Sequence, residues 1–299
     1  MLADQLKALG VEAHHLPRVD STNDELKRRL RAGELPDPTL LHADEQYAGR
    51  GTLGRQWVMQ PGRDIAMSLA LPMERPGLSD ARLPLCVGAA VALALEGATG
   101  IQLGLRWPND LLGSTAAGRR KLGGVLTETV QAGVVGAAFM RPDDAPAGER
   151  AAQVRPLRAV SSAGAGARWV VIGVGLNVNS LSSDFPAELA LAITTLREAL
   201  AHARGVDAAD VHLPREAVLA AVAVGLCAAL AGGLDADRWL REWPPRDQTP
   251  GTRFLLDAAG KQRAVVACGV DFATGRLVCT DAEGNEHQVE AYTALHALP

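Results

Sequence analysis

Apolar residues fall along the chain in two rhythms. Short runs at residues 39–45 and 65–71 have strand length and flank a glycine-rich stretch, so they read as two strands joined by a loop. Further strands are predicted at 101–107, 122–129, 133–139 and 169–178. Helical spacing marks residues 2–9, 20–32, about 81–99 and 214–242. The segment 20–32 opens on Asp20, Ser21 and Thr22 and continues NDELKRRLR. Those three side chains carry oxygens that can take the free N–H groups of a first helical turn. Strands outnumber helices and follow one another in hairpin-like order. This argues for an α+β fold, a mixed, mainly antiparallel sheet with helices packed on one face.

Two breaks organise the chain. Residues 141–168 are rich in Ala, Pro, Gly, Arg and Asp without a sustained period, and read as a long mobile loop inserted between two strands. Pro244, Pro245 and Pro250 form a linker. After it, residues 251–298 alternate as short strands, with turns at Ala259-Gly260, Thr274-Gly275 and Glu283-Gly284, the pattern of a small β-barrel. The expected division is therefore a domain over 1–245, containing the insertion, and a smaller one over 250–299.

Composition narrows the picture. A chain of 299 residues can bury about three quarters of its unfolded surface and needs no staples. Its 47% apolar content excludes a wholly disordered chain. A net charge of −4 opposes non-specific duplex DNA binding. Cys86, Cys227, Cys268 and Cys279 sit in apolar or strand-like runs without metal-ligand spacing; they read as buried free thiols rather than disulfides or a zinc site. The N-terminal residues lack the apolar core of a signal peptide, and the runs Leu83 to Leu95 and Ala217 to Leu230 are too short to span a bilayer. A soluble, cytoplasmic protein is expected.

Three stretches can carry chemistry. In GRGTLGRQW (49–57), Gly49, Gly51 and Gly54 allow close backbone approach, and backbone N–H groups there can cradle an oxyanion. Arg50 and Arg55 add forked donors, and Trp57 a flat face. The same residues also suit a basic surface hairpin with a core tryptophan. Neither the Walker nor the Rossmann glycine pattern is present. In RWPNDLLG (106–113), Asn109 and Asp110 are either plain turn formers after Pro108 or an amide and a carboxylate for a Mg²⁺-bound nucleotide. Lys121 opens the next predicted strand and places a compact charge beside Gly123 and Gly124. VVIGVGLNVN (170–179) is a buried strand on which Gly173 and Gly175 leave space, ending in Asn177 and Asn179.

Taken in order, DSTND at 20–24, ADEQYAGRGTLGRQW at 43–57, RWPNDLL at 106–112, RKLGGVLTE at 120–128 and GVGLNVN at 173–179 resemble the biotin–protein ligases. The tail, with GVD at 269–271 and then Gly275-Arg276-Leu277, is similar to the SH3-like barrel that ends these enzymes. The resemblance covers residues 15–298 and implies a class II synthetase-like catalytic domain before that barrel. It implies that Ser21, Thr22, Asn23 and Gln46 line a biotin pocket, with Arg50, Gly51 and Thr52 covering biotin and an adenylate phosphate. Arg55, Trp57, Asn109 and Asn177 would serve ATP. Lys121 would touch the biotin carboxylate and the α-phosphate; Arg50 and Asp110 would act at the reacting centre, Asp110 also near the metal.

The activity implied is formation of biotinyl-AMP from biotin and Mg²⁺–ATP, then transfer of biotin to a lysine of a biotin carboxyl carrier protein. A homodimer is compatible with it. Two positions depart from the family pattern: Arg106 replaces a lysine and keeps the charge, whereas Thr52 replaces an arginine and loses it. About twenty residues precede Ser21, too few for a helix-turn-helix, so neither a repressor role nor specific DNA binding is expected. The rival readings are a lipoate-type ligase or acyltransferase of the same fold, and a non-catalytic biotin sensor.

Overall fold

The computed structural model describes residues 2–133, 167–258, 261–291 and 295–297. The insertion predicted at 141–168 lies outside the described residues except for Ala167 and Arg168, as do most of the strand predicted at 133–139 and the turn at Ala259-Gly260. The helices are α1 (Leu2–Ala8), α2 (Thr22–Ala32), α3 (Leu83–Thr99), α4 (Ala187–Ala190), α5 (Leu196–Arg204), α6 (Arg215–Leu230) and α7 (Ala236–Leu240). The strands of the main sheet are β1 (Glu12–Val19), β2 (Thr39–Gln46), β3 (Ile65–Pro72), β4 (Gly104–Arg106), β5 (Asp110–Thr115), β6 (Gly118–Gln131) and β7 (Arg168–Leu176). Those of the second sheet are β8 (Arg253–Ala258), β9 (Lys261–Asp271), β10 (Arg276–Asp281), β11 (Glu286–Val289) and β12 (Leu295–Ala297).

The first sheet runs β1-β2-β3-β7-β6-β5-β4, and every neighbouring pair is antiparallel except β1 with β2. The second sheet, β11-β10-β9-β8-β12, is antiparallel throughout and forms the small SH3-like unit. The fold is thus α+β with a mixed, mainly antiparallel main sheet. Helices cover both of its faces rather than one. Leu40 packs in the large core with α3 and α6, while its neighbour Leu41 packs in a second cluster with Leu26 and Leu30 of α2. Successive strand residues point to opposite faces, so α2 lies across the sheet from α3 and α6.

Local signals explain most boundaries. Ser21 caps α2 by accepting from the Asp24 N–H, and Gly33 closes it at φ 70°. Helix α3 is apolar on nearly every side because sheet and α6 enclose it. The helix predicted at 214–242 breaks after Leu230; Gly233, at φ 101°, turns the chain, and Asp235 caps α7. The strand predicted at 101–107 shrinks to Gly104–Arg106, because residues 107–109 turn and Asp110 already belongs to β5. Lys121 does not open its strand, since β6 begins at Gly118. Strand β1 was not expected: EAHHLPRV contains a proline and little apolar periodicity, which an edge strand tolerates. Nor was α5 expected, whose start is a capping box between Thr195 and Glu198. Among the described residues no helix is long and apolar enough to cross a membrane.

One buried charge braces the turn after β7. Asp64 is fully buried, and burial pushes its carboxyl above the usual range. Its Oδ1 accepts from the Val178 N–H and the Ser180 hydroxyl, and its Oδ2 from the Gln60 N–H. In Asp64→Asn the amide NH₂ must face a donor on one side. A loss of about 1–3 kcal/mol is expected from urea unfolding, the cost of an unsatisfied buried donor.

Candidate active site

The open end of the sheet between α2 and the glycine-rich loop holds a cavity of about 350 Å³. Ser21, Thr22, Asn23, Gln46, Arg50, Gly51, Thr52, Arg55, Trp57, Asn109, Asp110, Lys121 and Asn177 all line it. The structure therefore brings together every residue that the resemblance assigned to ligand contact, whereas Gly49 and Gly54 do not line the cavity. Asn179 does not line it; its amide is spent on the Leu213 backbone.

One wall is a hydrogen-bonded polar set at the start of α2. The Gln46 carbonyl oxygen accepts from the Thr22 N–H at 2.7 Å and the Thr22 hydroxyl at 3.0 Å. Buried Ser68, on β3, lies 2.7 Å from Thr22 Oγ1 and donates to Asn23 Oδ1 at 2.6 Å. Asn23 Nδ2 donates to Glu128 Oε2 at 2.9 Å. With its carbonyl on Ser68 and its NH₂ on Glu128, the Asn23 amide has one orientation. Sequence reasoning missed Ser68, which lies in an apolar run, and gave Glu128 no role.

The glycines of β7 make room for protein rather than for ligand. A Cβ at Gly173 would collide with the Asn23 amide, and one at Gly175 with the Trp57 indole. The space expected at these positions is present, and Asn23 and Trp57 fill it. Gly124 differs: its nearest neighbours are the Asn109 carbonyl and Lys121 at ordinary contact distance, so β6 stays open there. The loop itself is a tight hairpin. The Gly51 N–H donates to Arg55 O at 2.7 Å, and the Trp57 N–H to Gly49 O at 2.9 Å. Arg55 turns back onto the Thr52 hydroxyl and carbonyl, both at 3.4 Å.

At the other end Asp110 lies between two cations. Lys121 Nζ is 2.6 Å from Oδ1, and Arg106 Nη2 is 2.7 Å from Oδ2. Burial raises the Asp110 pKa, but Lys121 and Arg106 outweigh it and hold the carboxyl below the usual range. The Lys121 backbone is clamped as well, by hydrogen bonds to Ala192 O and from the Thr194 N–H. Asn109 Nδ2 donates to Val125 O, which uses one of its two N–H groups. Two buried atoms on the cavity lining lack a partner: Trp57 Nε1, a donor, and Asn177 Oδ1, an acceptor. Such atoms await a ligand or water.

The second sheet closes the last side. Phe254 and Ala291 line the cavity. Trp107, buried behind it, donates its indole N–H to Gly275 O and its backbone N–H to Thr249 Oγ1, and meets Phe254 edge-on. No sequence motif pointed to Phe254.

This α+β arrangement is the fold of the biotin protein ligases. The solved structure of the Aquifex aeolicus enzyme in complex with biotin and ATP superposes with a TM-score of 0.60 at 23% identity, covering 96% of this chain and 99% of that one. Residues 15–140 match the model of the biotin/lipoate A/B protein ligase family. A bifunctional ligase/repressor BirA from Bacillus spizizenii is 34% identical over 181 residues, 60% of this chain but 45% of that protein. The chain thus spans less than half of that relative's length. A biotin–[acetyl-CoA-carboxylase] ligase of Mycobacterium tuberculosis is 28% identical over 99% of this chain and 94% of its own.

The Asp110 pairing has a definite pH dependence. Its pKa is lower folded than unfolded, so its stabilisation is complete above the unfolded value of about 3.9 and is lost as pH falls through the folded value. Asp110→Asn should lower the melting temperature at neutral pH, and the gap from wild type should close below pH of about 4. A gap that stays constant into acid would contradict the pairing.

Proposed function

We propose that the protein is an ATP-dependent biotin–protein ligase that forms biotinyl-AMP and passes biotin to a lysine of a biotin carboxyl carrier protein. The observation that carries this reading is the convergence on one cavity of Arg50, Lys121 and the unpartnered Trp57 Nε1 and Asn177 Oδ1. Two cations suit an acyl carboxylate and a phosphate, and the two orphan atoms suit a hydrogen-bonding ring system. The biotin end is assigned to Ser21, Thr22, Asn23 and Gln46, with Arg50, Gly51 and Thr52 above it. The nucleotide end is assigned to Arg55, Trp57, Asn109 and Asn177.

In the first step the biotin carboxylate oxygen attacks the α-phosphorus, and the bond to pyrophosphate breaks. In the second, the carrier amine attacks the acyl carbon, loses a proton, and AMP leaves with the bonding electrons. No covalent enzyme intermediate is needed; the protein positions and offsets charge. Lys121 leaves Asp110 to meet the carboxylate and α-phosphate. Asp110 is poorly suited to accept the amine's proton, because Arg106 stays paired with it when Lys121 leaves. It suits orientation of the incoming ammonium.

The donor set also bears on the metal. Asp110 is the only carboxylate among the described lining residues, and no group of three His, Cys, Asp or Glu among the described residues is placed for a metal. A dedicated protein cage does not fit. Magnesium carried on the nucleotide phosphates, with at most one protein carboxylate, does fit.

The direct test is incubation with ATP and Mg²⁺ plus biotin or lipoate, followed by mass spectrometry. Biotinyl-AMP is the expected product; lipoyl-AMP alone, or no adenylate, overturns the reading. Lys121→Ala should slow adenylate formation by about 10²–10³, as loss of one electrostatic stabiliser does.

A second expectation concerns Thr52. Thr52 carries no charge of its own, and Arg55 Nη2 lies 3.4 Å from its hydroxyl. Thr52→Arg should slow dissociation of preformed biotinyl-AMP, by up to about ten- to a hundredfold for one charge-assisted bond. An unchanged or faster rate would mean that Arg50 and Arg55 already hold the phosphate fully.

A further inference from the structure

Arg50 is not idle in the ligand-free cavity. Its Nε lies 3.3 Å from Asp24 Oδ2, and its Nη2 pairs with Glu128 Oε1. A second cation shares both carboxylates: Lys27 Nζ is 2.8 Å from Asp24 Oδ1 and 2.8 Å from Glu128 Oε1. The two cations differ in setting. The Arg50 side chain is 44% exposed and lines the cavity, whereas that of Lys27 is 8% exposed and lies beneath it on α2. We propose that Lys27 is a positioning residue, the permanent counter-ion of Asp24 and Glu128 that frees Arg50 to bind an anionic ligand. This rests on the reading above, in which Arg50 covers the adenylate phosphate.

The reasoning is electrostatic. Asp24, Glu128, Lys27 and Arg50 together are neutral. When Arg50 turns to a phosphate, two partly buried carboxylates remain, and a carboxylate left unpaired away from water is costly. Lys27 still bridges them, and Asn23 still donates to Glu128. Without Lys27 the departure of Arg50 would leave two adjacent anions, so Arg50 would be held in place. Glu128 would also lose the partner that keeps it aimed at Asn23. The same design recurs at Asp110, where Arg106 stays on Oδ2 while Lys121 occupies Oδ1. Arg50 and Lys121 are thus each stored on a carboxylate that has a second cation of its own.

The test is the dissociation constant of biotinyl-AMP, measured by calorimetry on the full chain. Lys27→Met should weaken binding about ten- to a hundredfold. Lys27→Arg, which keeps the charge, should bind close to wild type. In an Arg50→Ala background Lys27→Met should cost little more, because there is no cation left to release. Should the methionine variant unfold, Lys27→Gln replaces it with the same expected loss. Equal weakening by Lys27→Met and Lys27→Arg, or an undiminished effect without Arg50, overturns the proposal while leaving the ligase reading intact. A wild-type protein that binds no biotinyl-AMP overturns both.

Discussion

Two positions without side chains on one strand set the floor of the cavity. Gly173 and Gly175 are two apart on β7 and so share a face. Asn23 lies on the first and Trp57 on the second, each where a Cβ would otherwise stand. Asn23 brings α2 down onto the sheet, and Trp57 brings the glycine-rich hairpin down beside it. Both walls are therefore referenced to the same strand, which is central in the sheet between β3 and β6. A substitution at either glycine would displace a wall, not merely narrow a space.

On that floor the charges are arranged in opposed sets. Asp24 and Glu128 answer Lys27 and Arg50 at one end; Asp110 answers Arg106 and Lys121 at the other. Opposite charge close by keeps Asp110 and Glu128 ionised in spite of their burial. A cavity whose long cationic side chains are already held by carboxylates has less freedom to lose when a ligand binds. Neutral local balance also lowers the penalty of holding charge in a partly dry site.

Much of this was legible in the sequence, for identifiable reasons. The strand 65–71 announces itself by an apolar run broken only at Ser68, because it is covered on both faces, and 39–45 by Leu40, Leu41 and Ala43. Ser21 announces α2 through its capping chemistry. The glycine-rich hairpin and the Trp-Pro-Asn-Asp turn are short, local motifs, and all their chemistry-bearing residues meet in the cavity. What was hidden depends on distant pairing. Strand β1 exists only through β2, and its polar sequence carries no period of its own. Glu128 reads as one exposed acid among many until α2 and the loop are folded onto it. Gly173 and Gly175 suggested room, but which side chains fill that room is a tertiary fact. Phe254 lies in the second sheet, far along the chain from the motifs it faces.

That last contact has a temporal consequence. The cavity is lined by residues from Ser21 onward, but Phe254 and Ala291 complete it, and Trp107 donates its indole N–H to the Gly275 carbonyl. On the ribosome the motif-bearing strands emerge long before those residues, and domains fold as they emerge. During that interval the large indole at the base of the site faces water, with its N–H unpaired by protein. The nascent sheet therefore holds an open, apolar-edged cleft until the second sheet docks, and the site is finished by residues that leave the tunnel long after its first motifs.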